Sequence, residues 1–250
     1  GKDWQLNLIG QQESDFYDCI TNVKGETWLY GDSKDGMLTV FSVNQSTKAW
    51  KKEKLPFKAN LNEGGFASSG TCINSNSDGD IVVGTGNTKN PRLLLKEQNR
   101  EWQSIKTPFK GGEAAGVFSV QLQDRNVYAF GGSLKDKESH AVAYKYNLTC
   151  DRIESKHYYS DSSIWLWYKS TYKKGGLIEV FSPLDSITVK YTYDNQNNHI
   201  KYIEYDKLGE EKEVRTYIYE YDDKSNWIKK TEFQNGEIYW VDERQYDYYD

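Results

Sequence analysis

The sequence predicts an all-β protein, and three observations support that prediction. Of the 250 residues, 15% are Phe, Trp or Tyr, and aromatic and β-branched residues suit the pleated, half-buried surface of a sheet. Short apolar runs recur at two regular spacings, one in each part of the chain. No stretch keeps apolar residues at the 3.6-residue period of a helix over three turns. We therefore expect repeated antiparallel sheets.

The first repeat recurs three times in the first 155 residues, with landmarks shifted by 52 or 53 residues. In two copies a Trp precedes a Pro by six residues, Trp50 with Pro56 and Trp102 with Pro108. The apolar runs of the three copies lie at 16–20, 27–31 and 38–41, at 69–73, 81–84 and 92–95, and at 117–120, 127–131 and 141–144. About four strands in a unit of roughly 40 to 50 residues are typical of a β-propeller blade. We expect blade-like four-stranded antiparallel sheets, in a complete or an incomplete propeller.

A second repeat, of 28 residues, covers the last 60 residues. The segment 191–201 recurs at 219–229, and 246–248 is a shortened third copy. The tyrosines alternate with polar residues, as one face of a strand requires. The Asp- and Asn-rich segments between them tolerate left-handed turn conformations, and Asn235-Gly236 is a strong hairpin signal. These features predict a C-terminal antiparallel β-meander.

Residues 160–182, between the two systems, also predict a hairpin, with its turn at 173–176. We place one unit at residues 1–158 and the other at 159–250. Two abutting domains fit the sequence, and so does a single ring that the second system completes.

The first system resembles the sialidase-like BNR-repeat propellers over about residues 4–146. The resemblance is carried by the segments 64–71, 83–86 and 115–120, together with Trp102 and Pro108. The segments that end at Trp50 and Trp102 keep the Trp of the family's Asp-box and lose its glycines. The resemblance implies a propeller with more blades than this part of the chain provides.

The C-terminal units, at about residues 187–250, look like YD repeats, which occur in bacterial cell-surface, toxin-associated and lipoprotein sequences. Asn198 and Asn226 match the Asn of that motif. Asn197 and Ser225 stand where the motif usually has Gly.

No residue set for catalysis, metal binding or a cofactor is apparent in the sequence. A sialidase needs three arginines around a substrate carboxylate, and neither Arg92 nor the other five arginines match those positions. A nucleophilic Ser needs a positioned base and an oxyanion hole, and no GxSxG elbow occurs. Residues 74–80 imitate the first half of a calcium loop, but its twelfth position is Thr85 instead of Glu, so we expect a plain turn. We predict no catalytic residue, no metal and no cofactor.

Two of the three cysteines, Cys19 and Cys72, occupy equivalent places in consecutive copies of the first repeat. Packed sheets lie about 10 Å apart, which exceeds the roughly 7 Å Cα separation that a disulfide allows. We therefore predict two buried thiols, with Cys150 unpaired or exposed.

The aromatic excess of the second half is the main functional signal. Alternation along the strand places Trp165 and Trp167 on the same face. Core packing accounts for such residues, and so does a binding face, because Trp and Tyr dominate interface hot spots. Exposed rings of this kind also stack on sugars. The predicted partner-binding residues are Trp165, Trp167, Tyr168, Trp227, Tyr239 and Trp240.

The net charge of −5, with acids and bases interleaved, gives no basic field for nucleic acid. No apolar run approaches the roughly 20 residues of a transmembrane helix. The sequence favours a non-enzymatic protein-binding protein of bacterial type, and more specifically an immunity protein that neutralises a cognate secreted toxin or effector. The alternatives are a glycan-binding envelope lipoprotein and a divergent BNR-type glycoside hydrolase.

The location in the cell is open between two compartments. The chain begins with Gly1 instead of Met, so an export signal could have been removed. We expect a periplasmic or envelope-associated protein, with the cytoplasm as the alternative.

Overall fold

The computed structural model describes residues 19–66, 70–136, 141–173 and 175–248. Residues 16–18 of the predicted apolar run at 16–20, and Ser68 and Ser69 of the segment 64–71, lie outside these residues. The described residues contain nineteen β-strands and no helix. The all-β prediction is therefore confirmed.

The first two copies of the 52-residue repeat form two four-stranded antiparallel sheets, each in sequence order. The strands of the first sheet are β1 (Cys19–Val23), β2 (Glu26–Tyr30), β3 (Val40–Asn44) and β4 (Trp50–Lys52). The strands of the second sheet are β5 (Ile73–Ser75), β6 (Ile81–Gly84), β7 (Arg92–Lys96) and β8 (Gln103–Lys106). Four-stranded antiparallel sheets were predicted here, and both are present.

The chain divides into two compact units, residues 1–150 with 156–165 and residues 151–155 with 166–250. Strands β12 (Arg152–Tyr158) and β13 (Ile164–Lys173) each contribute residues to both units. In the first unit the third repeat copy forms the ladder of β9 (Ala115–Gln123), β10 (Asn126–Ser133) and β11 (Ala141–Asn147). The described strands of the first unit do not close into a ring, and domain limits at 1–158 and 159–250 stay a prediction.

Both hydrophobic clusters found among the described residues belong to the first unit. Along β7, Leu94 packs in the cluster that contains Trp28 and Val40, whereas Leu93 and Leu95 pack in the other cluster. This strand is therefore buried on both faces, which explains its unbroken apolar run, because a strand covered on one face would alternate. The two clusters give this unit a layered core.

Cys19 and Cys72 form a disulfide with a Cα–Cα distance of 5.8 Å, so the prediction of two thiols is wrong. The 10 Å spacing used for it applies to sheets packed face to face. Here β1 and β5 approach each other directly, since the Oγ1 of Thr21 lies 2.8 Å from the Oγ of Ser75. Cys150 is half-buried, and its thiol donates a hydrogen bond to Gln103 Oε1 (3.6 Å).

The second unit contains the predicted antiparallel meander. Its strands after β13 are β14 (Gly176–Ser182), β15 (Ile187–Tyr193), β16 (His199–Tyr205), β17 (Glu211–Tyr221), β18 (Trp227–Gln234) and β19 (Glu237–Glu243). The predicted Asn-Gly turn joins β18 to β19, with Asn235 (φ 50°) and Gly236 (φ 92°) in the left-handed region. That pair of positive φ angles matches the hairpin turn whose twist fits the flanking strands.

The meander of the second unit is a single layer of sheet. Among the described residues from 166 to 248, only Gly176 and Ser182 are buried. Most sheets cover at least one face with another element. Both faces of this sheet instead remain half-buried or exposed.

Candidate interaction face

One face of the second unit collects most of its aromatic side chains. Strand pairing carries this face across the sheet, because directly paired residues of antiparallel strands point to the same side: Tyr191 pairs with Tyr202, and Tyr202 with Arg215. We call it the tyrosine face; its residues are Tyr168, Tyr191, Tyr193, His199, Tyr202, Glu213, Arg215, Tyr217, Tyr219, Tyr221, Trp227, Glu232, Tyr239 and Trp240.

The opposite face is more aliphatic. Ile203 and Val214 pair there, and Ile218 pairs with Thr231. Its most exposed large apolar strand residues are Ile238 (67% exposed) and Ile218 (57%). The two faces thus differ in chemistry although neither is covered.

Three turns of identical design connect successive strands, β15 to β16, β16 to β17 and β17 to β18. In each, the Oδ1 atom of an Asp (Asp194, Asp206 or Asp222) accepts backbone hydrogen bonds of 2.8–3.0 Å from the second and the fourth residue after it. The third residue after the Asp adopts a left-handed conformation in each turn: Asn197 (φ 66°), Gly209 (φ 82°) and Ser225 (φ 65°). Glycine adopts this conformation without strain and Asn tolerates it, which explains Gly209 and Asn197 but not Ser225.

The middle turn was not predicted from the sequence. Its signal was nevertheless present, because Tyr205-Asp206 followed by Gly209 fits the Tyr-Asp-x-x-Gly pattern better than the two turns that were recognised. The backbone N–H groups of Glu210 and Leu208 hold the pKa of Asp206 below its usual value. The ionised carboxylate is thus the form that this turn favours.

Hydrogen bonds repeat between successive copies as the sequence does. Asn198 Nδ2 donates to Tyr221 Oη (2.7 Å), and Asn226 Nδ2 donates to Tyr248 Oη (2.8 Å). The hydroxyl of Tyr248 donates in turn to Asp222. The Asn of the motif thus links the turn of one copy to a Tyr of the next.

A second set of bonds repeats in the same way. Tyr219 Oη donates to the carbonyl of His199 (3.0 Å), and Tyr246 Oη donates to the carbonyl of Trp227 (3.3 Å). Because the same Tyr-to-carbonyl bond recurs one repeat later, these tyrosines join copies of the repeat. Part of the aromatic excess is therefore structural.

An ionic cluster occupies the centre of the tyrosine face. Arg215 donates from Nε to Glu213 Oε1 (2.6 Å) and from Nη1 to Glu232 Oε1 (3.2 Å). Its guanidinium carbon lies 5.6 Å from the ring centroid of Tyr202 and 5.7 Å from that of Tyr239. The hydrogen bond to Glu213 raises the pKa of Arg215. The guanidinium is thus held by two carboxylates and two rings.

Partial burial changes the pKa of two neighbouring groups on the same face. Burial and the hydrogen bond to Glu204 raise the pKa of Tyr202 to about 12. Burial also lowers the pKa of His199, and the charge of Lys230 lowers it further. Both side chains are therefore neutral at pH 7.

The predicted binding residues do not all lie on one face. Ser170 pairs with Val180, and Val180 pairs with Val189, two residues before Tyr191 on the tyrosine face. Tyr168 is two residues before Ser170 on the same strand, so it lies on the tyrosine face as well. Trp167 points to the opposite side, where Lys169 Nζ is 5.2 Å from its ring centroid. Its Nε1 donates to Glu154 (2.7 Å).

Two other predicted residues already pack against the protein. Trp165 belongs to the first unit, where its ring centroid lies 5.3 Å from that of His157. Trp227 is half-buried, with Arg244 Cζ 3.4 Å from its ring centroid and Tyr219 at 6.0 Å. Both have structural contacts of their own.

Tyr239 and Trp240 are the most exposed of the predicted set, at 60% each. Trp240 pairs with Glu232, and its Nε1 donates to Asp242 Oδ1 (2.7 Å). The two rings therefore stand in solvent beside the ionic cluster. They are the predicted residues best placed to contact another molecule.

The two units also differ in charge. The second unit has 13 basic and 19 acidic residues, a formal charge of −6, whereas the first has 19 basic and 18 acidic residues, a formal charge of +1. The net charge of the whole chain therefore resides in the unit that carries the tyrosine face.

Arg92, which was considered as a substrate-binding arginine, forms an ion pair inside the first unit. Its Nε and Nη2 atoms each donate to the carboxylate of Glu63 at 2.8 Å, and Nη2 also donates to the carbonyl of Lys58. The Glu63 side chain is fully buried.

The calcium-like segment 74–80 is a turn between β5 and β6, in which Asp80 N donates to Asn76 Oδ1 (2.9 Å). In the described residues no three His, Cys, Asp or Glu side chains are grouped to hold a metal.

The described residues form no helix with the length and hydrophobicity needed to cross a bilayer.

No family model matches the chain, and no curated protein matches it. Among solved structures, a GH43 endo-arabinanase from Bacillus licheniformis is similar over 72% of this chain and 74% of its own, with 14% sequence identity and a TM-score of 0.33.

Proposed function

We propose that the protein is a non-enzymatic binding module that takes a protein partner on the tyrosine face. The single observation that carries this proposal is the uncovered sheet of the second unit, where 60% of Tyr239 and of Trp240 is exposed. A soluble chain exposes few contiguous apolar patches that have no interaction role. A partner would bury these rings.

The surroundings of the two rings support a protein contact. Trp, Tyr and Arg are the residue types enriched at interface hot spots. Trp240 is fixed by Asp242, and Arg215 by Glu213 and Glu232. Side chains that are already ordered lose little entropy on binding, so this cluster is prepared for a partner before it arrives.

The charge of the second unit favours a basic partner surface. A formal charge of −6 on this unit steers positively charged proteins towards it. In its specific form, the proposal is an immunity protein that binds and neutralises a cognate secreted toxin or effector, and the YD-like repeats support this form.

We place the protein in the periplasm or at the cell envelope. The disulfide between Cys19 and Cys72 supports this location, because disulfides persist in oxidising compartments.

The two four-stranded sheets of the first unit support the further proposal that this unit is a BNR-like propeller.

Co-purification with the product of an adjacent gene, followed by calorimetric titration, tests the proposal. Trp240→Ala should weaken binding at least 30-fold, the equivalent of about 2 kcal/mol for a hot-spot residue. Ile238→Ala is the matched control, since it lies on the same strand, faces the other side and is 67% exposed. If both variants bind the partner as the wild type does, the tyrosine face is not the binding surface.

The immunity role has its own test. Co-expression of the protein with the adjacent gene's product should restore growth of cells that the product otherwise kills. Trp240→Ala should reduce that protection, and Ile238→Ala should preserve it. Absence of any protection by the wild type would exclude the immunity role but leave protein binding open.

Glycan binding is the second candidate, and one observation favours it. Tyr239 and Trp240 present exposed rings beside the carboxylates of Glu232 and Asp242, and sugars bind to such combinations of rings and polar groups. Binding on a glycan array that Trp240→Ala abolishes would replace the protein-binding proposal. A divergent BNR-type hydrolase is the remaining alternative, and turnover of a sialoside by the purified chain would establish it.

A further inference from the structure

Strand β19 presents an open edge. Arg244 N donates to the carbonyl of Ile228 (2.8 Å), so the backbone groups of Arg244 point towards β18. Because these groups alternate in direction along an antiparallel strand, those of Asp242 and Trp240 also point to β18. The N–H groups of Val241 and Glu243 point to the other edge, where β19 has no neighbouring strand within the described part of the chain.

The outward backbone groups of Val241 and Glu243 lie in a regular part of this edge. Exposed edges in soluble proteins are usually short, covered, charged, or interrupted by Pro or a β-bulge. β19 has seven residues and contains no Pro. Its bulge is at Tyr239, and residues 240–243 beyond it pair with β18 without interruption. Four consecutive residues from Ile238 to Val241 are exposed by 42% to 67%. The edge is therefore suited to accept another strand.

The repeat indicates which kind of strand fits. Tyr246 and Tyr248, which follow β19, make the bonds to Trp227 and Asn226 that Tyr219 and Tyr221 of β17 make one repeat earlier. β19 with its extension therefore occupies the position of β17 in the next copy. The corresponding edge of β17 is covered by β18.

We infer that the open edge of β19 binds an extended segment of another protein whose sequence pattern is that of β18. Such a segment would run antiparallel to β19 and bond to the outward backbone groups of Val241 and Glu243. By analogy with the pairing of Lys230 to Tyr219, a basic residue of the segment would lie opposite Tyr246. Strand addition of this kind gains affinity from backbone bonds and selectivity from alternate side chains.

This interaction is separate from the proposed contact through the rings of the tyrosine face. It depends on backbone groups at the edge of the sheet. Loss of one therefore does not entail loss of the other.

A labelled synthetic peptide with the sequence of residues 222–236 serves as the probe, with the intact chain as the receptor and fluorescence anisotropy as the readout. We expect saturable binding, at least tenfold tighter than that of a scrambled peptide of the same composition. Val241→Pro should weaken it at least tenfold, because proline removes an outward N–H. Val241→Ala, which keeps the N–H, should bind within about threefold of the wild type, a difference of less than the 1.4 kcal/mol that corresponds to tenfold.

Glu243→Pro removes the next outward N–H and provides a second test if Val241→Pro fails to fold. Peptide binding that is equal in the wild type and in a folded proline variant would overturn the inference, and so would equal affinity for the scrambled peptide. Sedimentation adds a further outcome. A dimer of the wild type that a folded proline variant abolishes, without any peptide binding, would show that a second copy of this chain occupies the edge.

Discussion

Breaking the disulfide between Cys19 and Cys72 should destabilise the first unit by about 4 kcal/mol. The two cysteines are 53 residues apart in the sequence. A cross-link that closes a loop of this length lowers the entropy of the unfolded chain by roughly 14 cal/mol/K, which gives about 4 kcal/mol at 25 °C. Both sulfurs are fully buried, so a reductant acts only when the unit opens.

Urea unfolding followed by tryptophan fluorescence measures this loss. Trp28 and Trp102 are buried in the same cluster as the disulfide, with ring centroids 6.2 Å apart, so their emission reports on the packing of this cluster. For a slope of about 2 kcal/mol per molar urea, the midpoint should fall by roughly 2 M. The double variant Cys19→Ala and Cys72→Ala should show the shift without reductant.

Two comparisons separate the cross-link from the loss of packing. The wild type refolded in reductant keeps both sulfur atoms and lacks only the bond, so it should show most of the shift. Cys150→Ala, outside the disulfide, should leave the midpoint within a few tenths of a molar. An unchanged midpoint in the double variant would refute the entropic reasoning.

Three further predictions concern other features of the two units. Glu63→Gln should destabilise the first unit by about 3 kcal/mol or more, because it leaves the guanidinium of Arg92 without its buried counter-charge; urea unfolding measures the loss. Asp222→Ala should increase hydrogen exchange at the backbone amides of its turn, whereas Asp223→Ala, one residue on, should leave that exchange unchanged. Burial lowers the pKa of His199, so its contribution to stability is complete above the unfolded pKa of about 6.5 and is lost as the pH falls towards the lower folded value. Thermal unfolding of the wild type and of His199→Gln between pH 7.5 and 5 should therefore converge at the acidic end.

Local features of the fold were predictable from the sequence. The Asn235-Gly236 hairpin and the turns at Asp194 and Asp222 follow from residue types that favour particular backbone angles within a few positions. The four-stranded sheets follow from apolar runs at a constant spacing. In each case the determining interactions lie between residues close in the chain.

Features that depend on distant residues were not predictable. The Cys19–Cys72 disulfide requires β1 and β5 to approach directly, and the position of one sheet beside another is not encoded in either strand alone. The ion pair of Glu63 and Arg92 likewise joins a loop residue to a strand 29 positions away. An average sheet spacing could not replace these particular contacts.

The candidate site was predictable in composition only. Strand alternation already separates Trp167 from Tyr168, and the structure places them on opposite faces. Alternation along the strand could not indicate that Trp227 packs against Arg244 while Trp240 remains exposed. Exposure depends on which elements cover a face, and in the second unit neither face is covered.

The single-layer sheet also affects how the second unit unfolds. Without a core shared by all its strands, each strand is stabilised by the strands on either side, as in linear repeat proteins. Unfolding of one strand is then coupled mainly to unfolding of the strands paired with it, and only weakly to unfolding of more distant strands. Native-state hydrogen exchange should show a gradient, with the slowest amides in β16 and β17 and progressively faster ones towards β19. The layered first unit should instead open as one block, so one chain would combine two modes of unfolding.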